Sequence, residues 1–247
     1  MSTTEGLLCH SEVDSRRFSL PVYRVELGHV DEVARALAEA EPAAPAVVFI
    51  RCACARIEVA QELERRGALL MDTLVTYSAR LERAVPVGAA RAVVRGLQPE
   101  DLPALRAAAR AAFTGYAGHY HADARLDPAL ATEGYVEWFE RSAVDPKVRV
   151  LVAEWQGKAA GFLTLRRGEA NTPARIELNA VLPVAQGNGL YDALVKGALA
   201  DCRVHGEQCV KVSTQLANLA PQKVWVRSGF ELEQAHYTFH YWLSGKR

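Results

Sequence analysis

The sequence predicts a mixed α/β fold in two parts: a smaller N-terminal α/β unit, then a larger unit with a central mixed sheet flanked by helices. Three observations carry that prediction. Half of the 247 residues are hydrophobic, enough to bury a sizeable core. Apolar runs of strand length alternate with helical ones, but without the regular rhythm of a doubly wound fold. The stretch from Ile176 to Val195 leads from an apolar strand ending at Pro183, through Gly187-Asn188-Gly189, into a run with Leu190, Ala193, Leu194 and Ala198 at helical spacing.

The first unit covers residues 1–83. Phe18 to Val25 has strand composition, and Pro21 within it indicates an edge or a bulge. Val30 to Ala40 is a helix with an acidic start, Ala46 to Ile50 a short buried strand, and Ile57 to Arg66 a helix stopped by Gly67. Leu69 to Tyr77 is a further strand. Arg83 to Ala90, broken by Pro86 and Gly88, has neither period and is the linker.

The second unit covers residues 91–247. Ala92 to Arg95 is a strand, and Asp101 to Phe113 a helix with Asp101 as N-cap and Pro103 in its first turn. A polar, aromatic loop, Gly115 to Asp123, precedes a helix from Asp127-Pro128 to about Ser142. Arg149 to Trp155 and Ala159 to Arg166 form a hairpin around Gln156-Gly157-Lys158. After the strand–turn–helix come a strand at Val210 to Thr214, a helix at Leu219 to Arg227 and a strand at Tyr237 to Leu243.

Composition excludes several roles. The 29 basic and 29 acidic residues cancel, which argues against a general nucleic-acid binder. No apolar run is long enough to span a bilayer, and the N-terminus has no basic segment leading into an apolar one, so neither a membrane partner nor a secretory signal is expected. Five scattered cysteines make no disulfide framework and point to a reducing, cytoplasmic compartment. Cys52-Ala53-Cys54 has the wrong spacing for a redox pair. His119 and His121 with Asp123 resemble part of a metal site, but no further ligands join them, and no metal is expected.

A strand that enters a Gly-x-Gly turn and then a helix aims free N–H groups at one point, where the helix dipole adds about half a positive charge. That combination suits a phosphate or pyrophosphate. Asp192 stands where a dinucleotide fingerprint has its third glycine.

Gln186-Gly187-Asn188-Gly189-Leu190-Tyr191, followed by Asn218 and Gly229-Phe230, resembles the acetyl-CoA motif and the downstream element of the GNAT acetyltransferase superfamily. The resemblance covers Ala92 to Leu243, about three fifths of the chain. Thr214-Gln215, Ser228-Gly229-Phe230 and His119-Tyr120-His121-Ala122-Asp123 look more closely like the dTDP-fucosamine acetyltransferases and related nucleotide-amino-sugar N-acetyltransferases. Asp14, Phe18, Pro21-Val22 and Arg24 look like their extra N-terminal domain, a truncated GNAT-like unit.

That resemblance implies a GNAT fold and acetyl-CoA as co-substrate. Backbone N–H groups from Gln186 to Tyr191 hold its pyrophosphate, with Asn218 and Trp225 also against the cofactor. Strand backbone near Ala180 and Val181 meets the thioester carbonyl. Glu177 is the candidate base or amine-orienting group, with Asn179 two residues on along the same strand face; alternatively Glu177 pairs with Arg175 at the edge of the core. His119, Tyr120, His121 and Gln215 would line the sugar pocket, with Arg125 and Arg175 for the nucleotide phosphates. Alternating histidines such as His119 and His121 also occur in ordinary exposed loops, a reading that ranks behind pocket lining.

The acid departs from the family pattern. Seven residues after Asn218, where a tyrosine is expected, stands Trp225, whose indole donates a hydrogen bond but cannot reprotonate a thiolate as a phenol can. Either solvent protonates the leaving thiolate, or Tyr237, Tyr241 or Tyr191 substitutes, or the chain is altered or inactive. Tyr191 is a second departure, since the motif ends in a small residue; its ring packs against the cofactor or flanks the helix. The expected reaction is direct attack by the amine of a nucleotide-linked amino-deoxy sugar in a ternary complex. The alternatives are another small amine, a peptide N-terminus, or a non-catalytic CoA-binding domain. Pairing of C-terminal strands between subunits would give a homodimer.

Overall fold

The chain builds one ten-stranded mixed sheet in a computed structural model that describes residues 6–82, 92–169 and 172–244. In chain order the strands are β1 (Cys9–His10), β2 (Val22–Leu27), β3 (Ala46–Ala53), β4 (Leu69–Arg80), β5 (Val94–Gly96), β6 (Val148–Trp155), β7 (Lys158–Arg166), β8 (Ala174–Val181), β9 (Cys209–Gln215) and β10 (Glu231–Leu243). Their order across the sheet is β1-β2-β3-β10-β4-β9-β8-β7-β6-β5. Only β2–β3 and β8–β9 pair in parallel. The linker expected at 83–90 lies outside the described residues.

The last strand decides the organisation. β10 is 13 residues long and lies between β3 and β4, so that Tyr237 is opposite both Cys52 and Thr73. The C-terminus therefore completes the sheet of the N-terminal part. It also corrects one expectation: β10 is interior, with both ladders filled, and is not available to pair with a second subunit.

Two apolar faces sandwich the C-terminal half of the sheet. On one, α7 (Leu190–Val204) sets Leu190, Leu194 and Ala198 against Leu163, Leu165, Ile176 and Val212. On the other, α4 (Leu102–Phe113) and α6 (Pro128–Val144) set Leu105, Phe113 and Phe139 against Val152, Phe162 and Leu178. β7 is covered on both sides, which is why its sequence is an almost unbroken apolar run. In the N-terminal half, α2 (Val30–Ala40) and α3 (Ile57–Arg65) pack Val33, Leu37, Val59 and Leu63 on Ile50 and Phe239. α8 (Leu219–Arg227) follows β9 and buries Trp225.

Three local readings change. Phe18 ends a helix, α1 (Glu12–Phe18), and does not start a strand; Ser19 turns left-handed at φ 54° and β2 begins after Pro21. Acids in the first turn of α1 and arginines in its last suit its dipole. The polar loop holds one further turn, α5 (His119–Ala122). Asp101 is the N-cap residue of α4, but its side chain makes no cap hydrogen bond: its carboxylate takes Arg95 at 2.6 Å and the Gln98 N–H at 2.9 Å.

Because β10 zips both parts into one sheet, they should unfold together. Ile50 is fully buried opposite Phe239. Ile50→Val should cost about 0.5–1.5 kcal/mol. It should move one calorimetric transition as a whole, whereas an N-terminal transition moving alone would show two independent units.

Candidate active site

β8 and β9 pair only from Ala174–Ile176 to Val210–Val212. Beyond that point they splay, leaving the main-chain groups of Glu177–Val181 and Ser213–Gln215 facing a wedge instead of each other. A cavity of about 1110 Å³ opens here and continues to the N-terminal half. β8 bulges at Glu177, so Ile176 packs on the α7 face while Leu178 and Ala180 pack on the α4 and α6 face; Arg175, Glu177, Asn179 and Val181 stay partly open and line the cavity.

The Gly-x-Gly turn forms the rim of the wedge. Gly187 and Gly189 both have φ 79°, a left-handed conformation that favours glycine, and Gly189 is the N-cap of α7. Gly187, Gly189, Leu190, Tyr191 and Asp192 line the cavity, so the N–H groups of the first helical turn, which have no partner within a helix, face it. Asn188 lies outside: its amide donates to the carbonyls of Ala185 (3.2 Å) and Gln186 (3.1 Å) and braces the turn. Gln186 donates to the Val181 carbonyl at 3.2 Å, tying turn to strand.

Opposite this turn, Asn218 donates to Thr214 Oγ1 at 2.9 Å, and Tyr116 contacts both Thr214 Oγ1 (3.2 Å) and Gln215 Oε1. Trp225 is 1% exposed, and its indole Nε1 donates to the Tyr191 hydroxyl at 2.7 Å. Burial raises the Tyr191 phenol above its ordinary range, with the Trp225 hydrogen bond opposing, so Tyr191 is neutral at physiological pH.

Glu177 lines the cavity, and its partner is Arg166, not Arg175: Arg166 Nε lies 2.6 Å from Oε1, while Oε2 is buried without a partner. Arg166 is also bound by Asp145 at 3.1 Å.

In the far arm of the cavity His119 and Tyr120 are expected from sequence, but its arginines are not. Arg17, Arg24 and Arg51 come to it from α1, β2 and β3, beside Tyr120, Tyr135 and Trp138. Arg24 is held by Asp14 and Tyr120, and Arg17 by Asp14 at 3.2 Å and Glu137 at 3.3 Å. Arg51 has no ion-pair partner among the described residues; burial, then the Arg24 charge, depress its pKa. Each arginine looks ordinary alone, and only the topology β2-β3-β10-β4-β9 brings them near the splay.

Of the residues expected at the site, His119, Tyr120, Arg175, Asn179 and Gln215 line the cavity, as do Ala180, Val181, Asn218 and Trp225. Three do not. Tyr237 lies between Cys52 and Thr73, packed against the N-terminal cluster and bonded to Cys54, because β10 carries it to the other half of the sheet. Arg125 is tied to Asp123 at 3.0 Å and lies 4.6 Å over the Trp242 ring. His121 turns to Thr132 Oγ1 at 3.2 Å. Among the described residues no group of three potential metal ligands converges.

A splayed parallel strand pair with a glycine turn capping the next helix has the geometry to take a phosphorylated ligand, and comparison with known proteins shows the family. Residues 102–230, just over half of the chain, match the Acetyltransferase (GNAT) family. The chain belongs to the GNAT family. It is 32% identical over 145 residues to the dTDP-fucosamine acetyltransferase of Escherichia coli O6:H1, covering 57% of this chain and 59% of that protein. It is 27% identical over 146 residues to the spore coat polysaccharide biosynthesis protein SpsD of Bacillus subtilis, covering 59% and 49%. The matched region thus spans about half the length of each of these relatives. Among solved structures, a GCN5-related N-acetyltransferase from Sphaerobacter thermophilus superposes with a TM-score of 0.66 at 14% identity, over 94% of this chain and 76% of that one. A tandem GNAT protein from the clavulanic acid biosynthesis pathway gives 0.59 at 17%, over 92% and 77%. At such identities the likeness is one of fold. It extends beyond the GNAT match into the N-terminal half.

Proposed function

We propose that the chain transfers the acetyl group of acetyl-CoA to the amine of a nucleotide-linked amino sugar, by direct attack in a ternary complex. The observation that carries this reading is the continuity of one cavity: an anion-binding turn and splayed strands at one end, and an arm with three guanidinium groups and aromatic rings at the other. Pyrophosphate suits the N–H groups of the turn. The main chain of the splay near Ala180 suits the pantetheine arm and the thioester carbonyl, in oxyanion-hole fashion. On the far arm, Arg24 and Arg51 suit the acceptor's diphosphate, and Tyr120, Tyr135 and Trp138 offer faces for a base and a sugar ring. The names of the two curated relatives, one an acetyltransferase of a dTDP-sugar and the other a protein of polysaccharide biosynthesis, support the same acceptor class.

Acetyl-CoA supplies the activated acyl group. Glu177, with one oxygen on Arg166 and the other buried without a partner, carries a charge at the cavity that can attract the acceptor ammonium. The five cysteines are all unpaired, as suits a protein of a reducing cytoplasm, and among the described residues no helix is long and apolar enough to cross a membrane.

Steady-state CoA release over a panel of amines tests the reading. A dTDP-linked amino sugar should be used at least about tenfold better, in kcat/KM, than the free amino sugar, since charge-assisted contacts to a diphosphate are worth roughly 1.5 kcal/mol or more. Arg51→Ala should erase most of that preference. A polyamine or peptide N-terminus preferred over every sugar nucleotide would replace the acceptor class, and cofactor binding without turnover on any amine would make the chain a CoA-binding domain.

A further inference from the structure

Behind the acceptor arm lies a buried chain of hydrogen bonds outside the Gly-x-Gly turn. His119 Nδ1 lies 2.9 Å from His240 Nε2, and His240 Nδ1 lies 2.8 Å from Asp123 Oδ2. Asp123 also accepts from Trp242 Nε1 at 2.7 Å and Arg125 Nε at 3.0 Å. All three chain members are buried: Asp123 is 3% exposed, His240 0% and His119 6%.

The order of donors fixes every proton. Burial opposes ionisation of Asp123, but the bonds from His240, Arg125 and Trp242 outweigh it and hold the carboxyl well below its usual range, so Asp123 is an acceptor only. His240 therefore donates from Nδ1. Burial keeps His240 neutral, so its Nε2 is an acceptor. His119 then donates from Nδ1, and its Nε2 carries a lone pair. Nε2 is neither bonded to a described residue nor sealed by burial, and His119 lines the cavity.

The geometry points to His119 Nε2 as the proton acceptor for the attacking amine, with His240 and Asp123 as positioning residues that hold its tautomer. This rests on the acetyl-transfer reading above. The substrate ammonium gives one proton to Nε2 and becomes the neutral nucleophile. Its lone pair forms the C–N bond as the C–S bond breaks, the electron pair leaving on the CoA sulfur. The second proton leaves nitrogen to solvent, solvent protonates that sulfur, and His119 releases the first proton to solvent. Burial, His240, Arg51, Arg24 and His121 disfavour a cation at His119, so the imidazole starts neutral with Nε2 able to accept; the same charges make it a weak base and lower the pKa of an ammonium held beside it, so the proton is shared between two groups shifted the same way. Asp72 accepts the His119 backbone N–H at 2.9 Å and fixes the ring's anchor. Glu177, by contrast, already shares its carboxylate with Arg166.

Two measurements test this. Nitrogen-15 NMR of the imidazoles in the intact protein should find His119 neutral with its proton on Nδ1 from pH 6 to 8; in His240→Phe that tautomer preference should be lost. A proton on Nε2 in the wild type overturns the proposal. With whichever amine the wild type acetylates fastest, His119→Ala and His119→Gln should lower kcat/KM at least tenfold at unchanged affinity for acetyl-CoA. Both variants within threefold of wild type, with Glu177→Gln lowering the rate more, would also overturn it. An acceptor other than a nucleotide sugar would refute the function proposed above while leaving the role of His119 to be judged with that amine; with no turnover at all, the tautomer still decides.

Discussion

Replacing Gly187 by valine should weaken acetyl-CoA binding about a hundredfold, while replacing Gly157 by valine should leave it unchanged. The two glycines are a matched pair. Gly187 has φ 79° and Gly157 φ 72°, and at both an added Cβ would meet nothing within 4 Å. A β-branched residue in the left-handed region costs about 1–3 kcal/mol at either site, so both variants should lose similar stability in urea unfolding. They differ in what occupies the open space. Gly157 sits in the hairpin turn between β6 and β7, outside the cavity, whereas Gly187 lines it at the mouth of α7. A side chain at 187 would stand where the pyrophosphate approaches the free N–H groups. A hundredfold loss corresponds to about 2.7 kcal/mol, the scale of one or two charge-assisted hydrogen bonds. Calorimetric titration with CoA measures the difference directly. Equal affinities in the two variants would mean that the turn is not the pyrophosphate site.

That the turn was readable at all follows from its locality. Strand, Gly-x-Gly and helix are contiguous, so the dihedrals, the dipole and the apolar spacing all appear within one window of sequence. Elements fixed by their own periodicity were equally legible: Val30–Ala40 and Leu219–Arg227 form with the predicted limits. The errors share the opposite cause. Tyr237 could stand for a missing phenol only if β10 ran beside the splay, and its position between β3 and β4 is set by pairing across more than 150 residues of chain. Arg51 and Arg24 sit in strands whose alternation reads as ordinary sheet, and their meeting with His119 depends on parallel pairing of β2 with β3. His240 carries no local signal, because its partner Asp123 lies in a loop that the sequence shows only as polar and aromatic. Local physics located the Gly-x-Gly turn and the His119-Tyr120 stretch; the arginines of the far arm and the contact of His119 with His240 came from topology.

Tyr191→Phe should lower kcat ten- to a hundredfold with little change in KM for acetyl-CoA, and the reason lies in the displaced indole. Position 225 lacks the phenol that the family pattern puts there, yet Trp225 donates its N–H to the Tyr191 oxygen at 2.7 Å. That bond fills one acceptor lobe of the phenol and leaves the hydroxyl proton to donate. No described residue accepts it, and Tyr191 lines the cavity beside the cofactor turn. The two departures from the motif, a tyrosine where a small residue is usual and a tryptophan where the tyrosine is usual, are thus joined by one hydrogen bond. Because burial raises the Tyr191 pKa, the phenol is a weak acid but a persistent donor, suited to stabilising a developing thiolate by a hydrogen bond while solvent completes protonation. A single oxyanion donor is worth about 10²–10³ in rate, and a sulfur anion, softer and less basic, should need less. Trp225→Phe should lose part of the same effect by freeing the phenol to rotate, and the double variant should be no slower than Tyr191→Phe, since the two residues act through one hydrogen bond. Trp225→Tyr should not exceed the wild-type rate, because a phenol already serves. A Tyr191→Phe enzyme within threefold of wild type would show that solvent alone manages the thiolate, and a large gain from Trp225→Tyr would show that the missing phenol limits the native reaction.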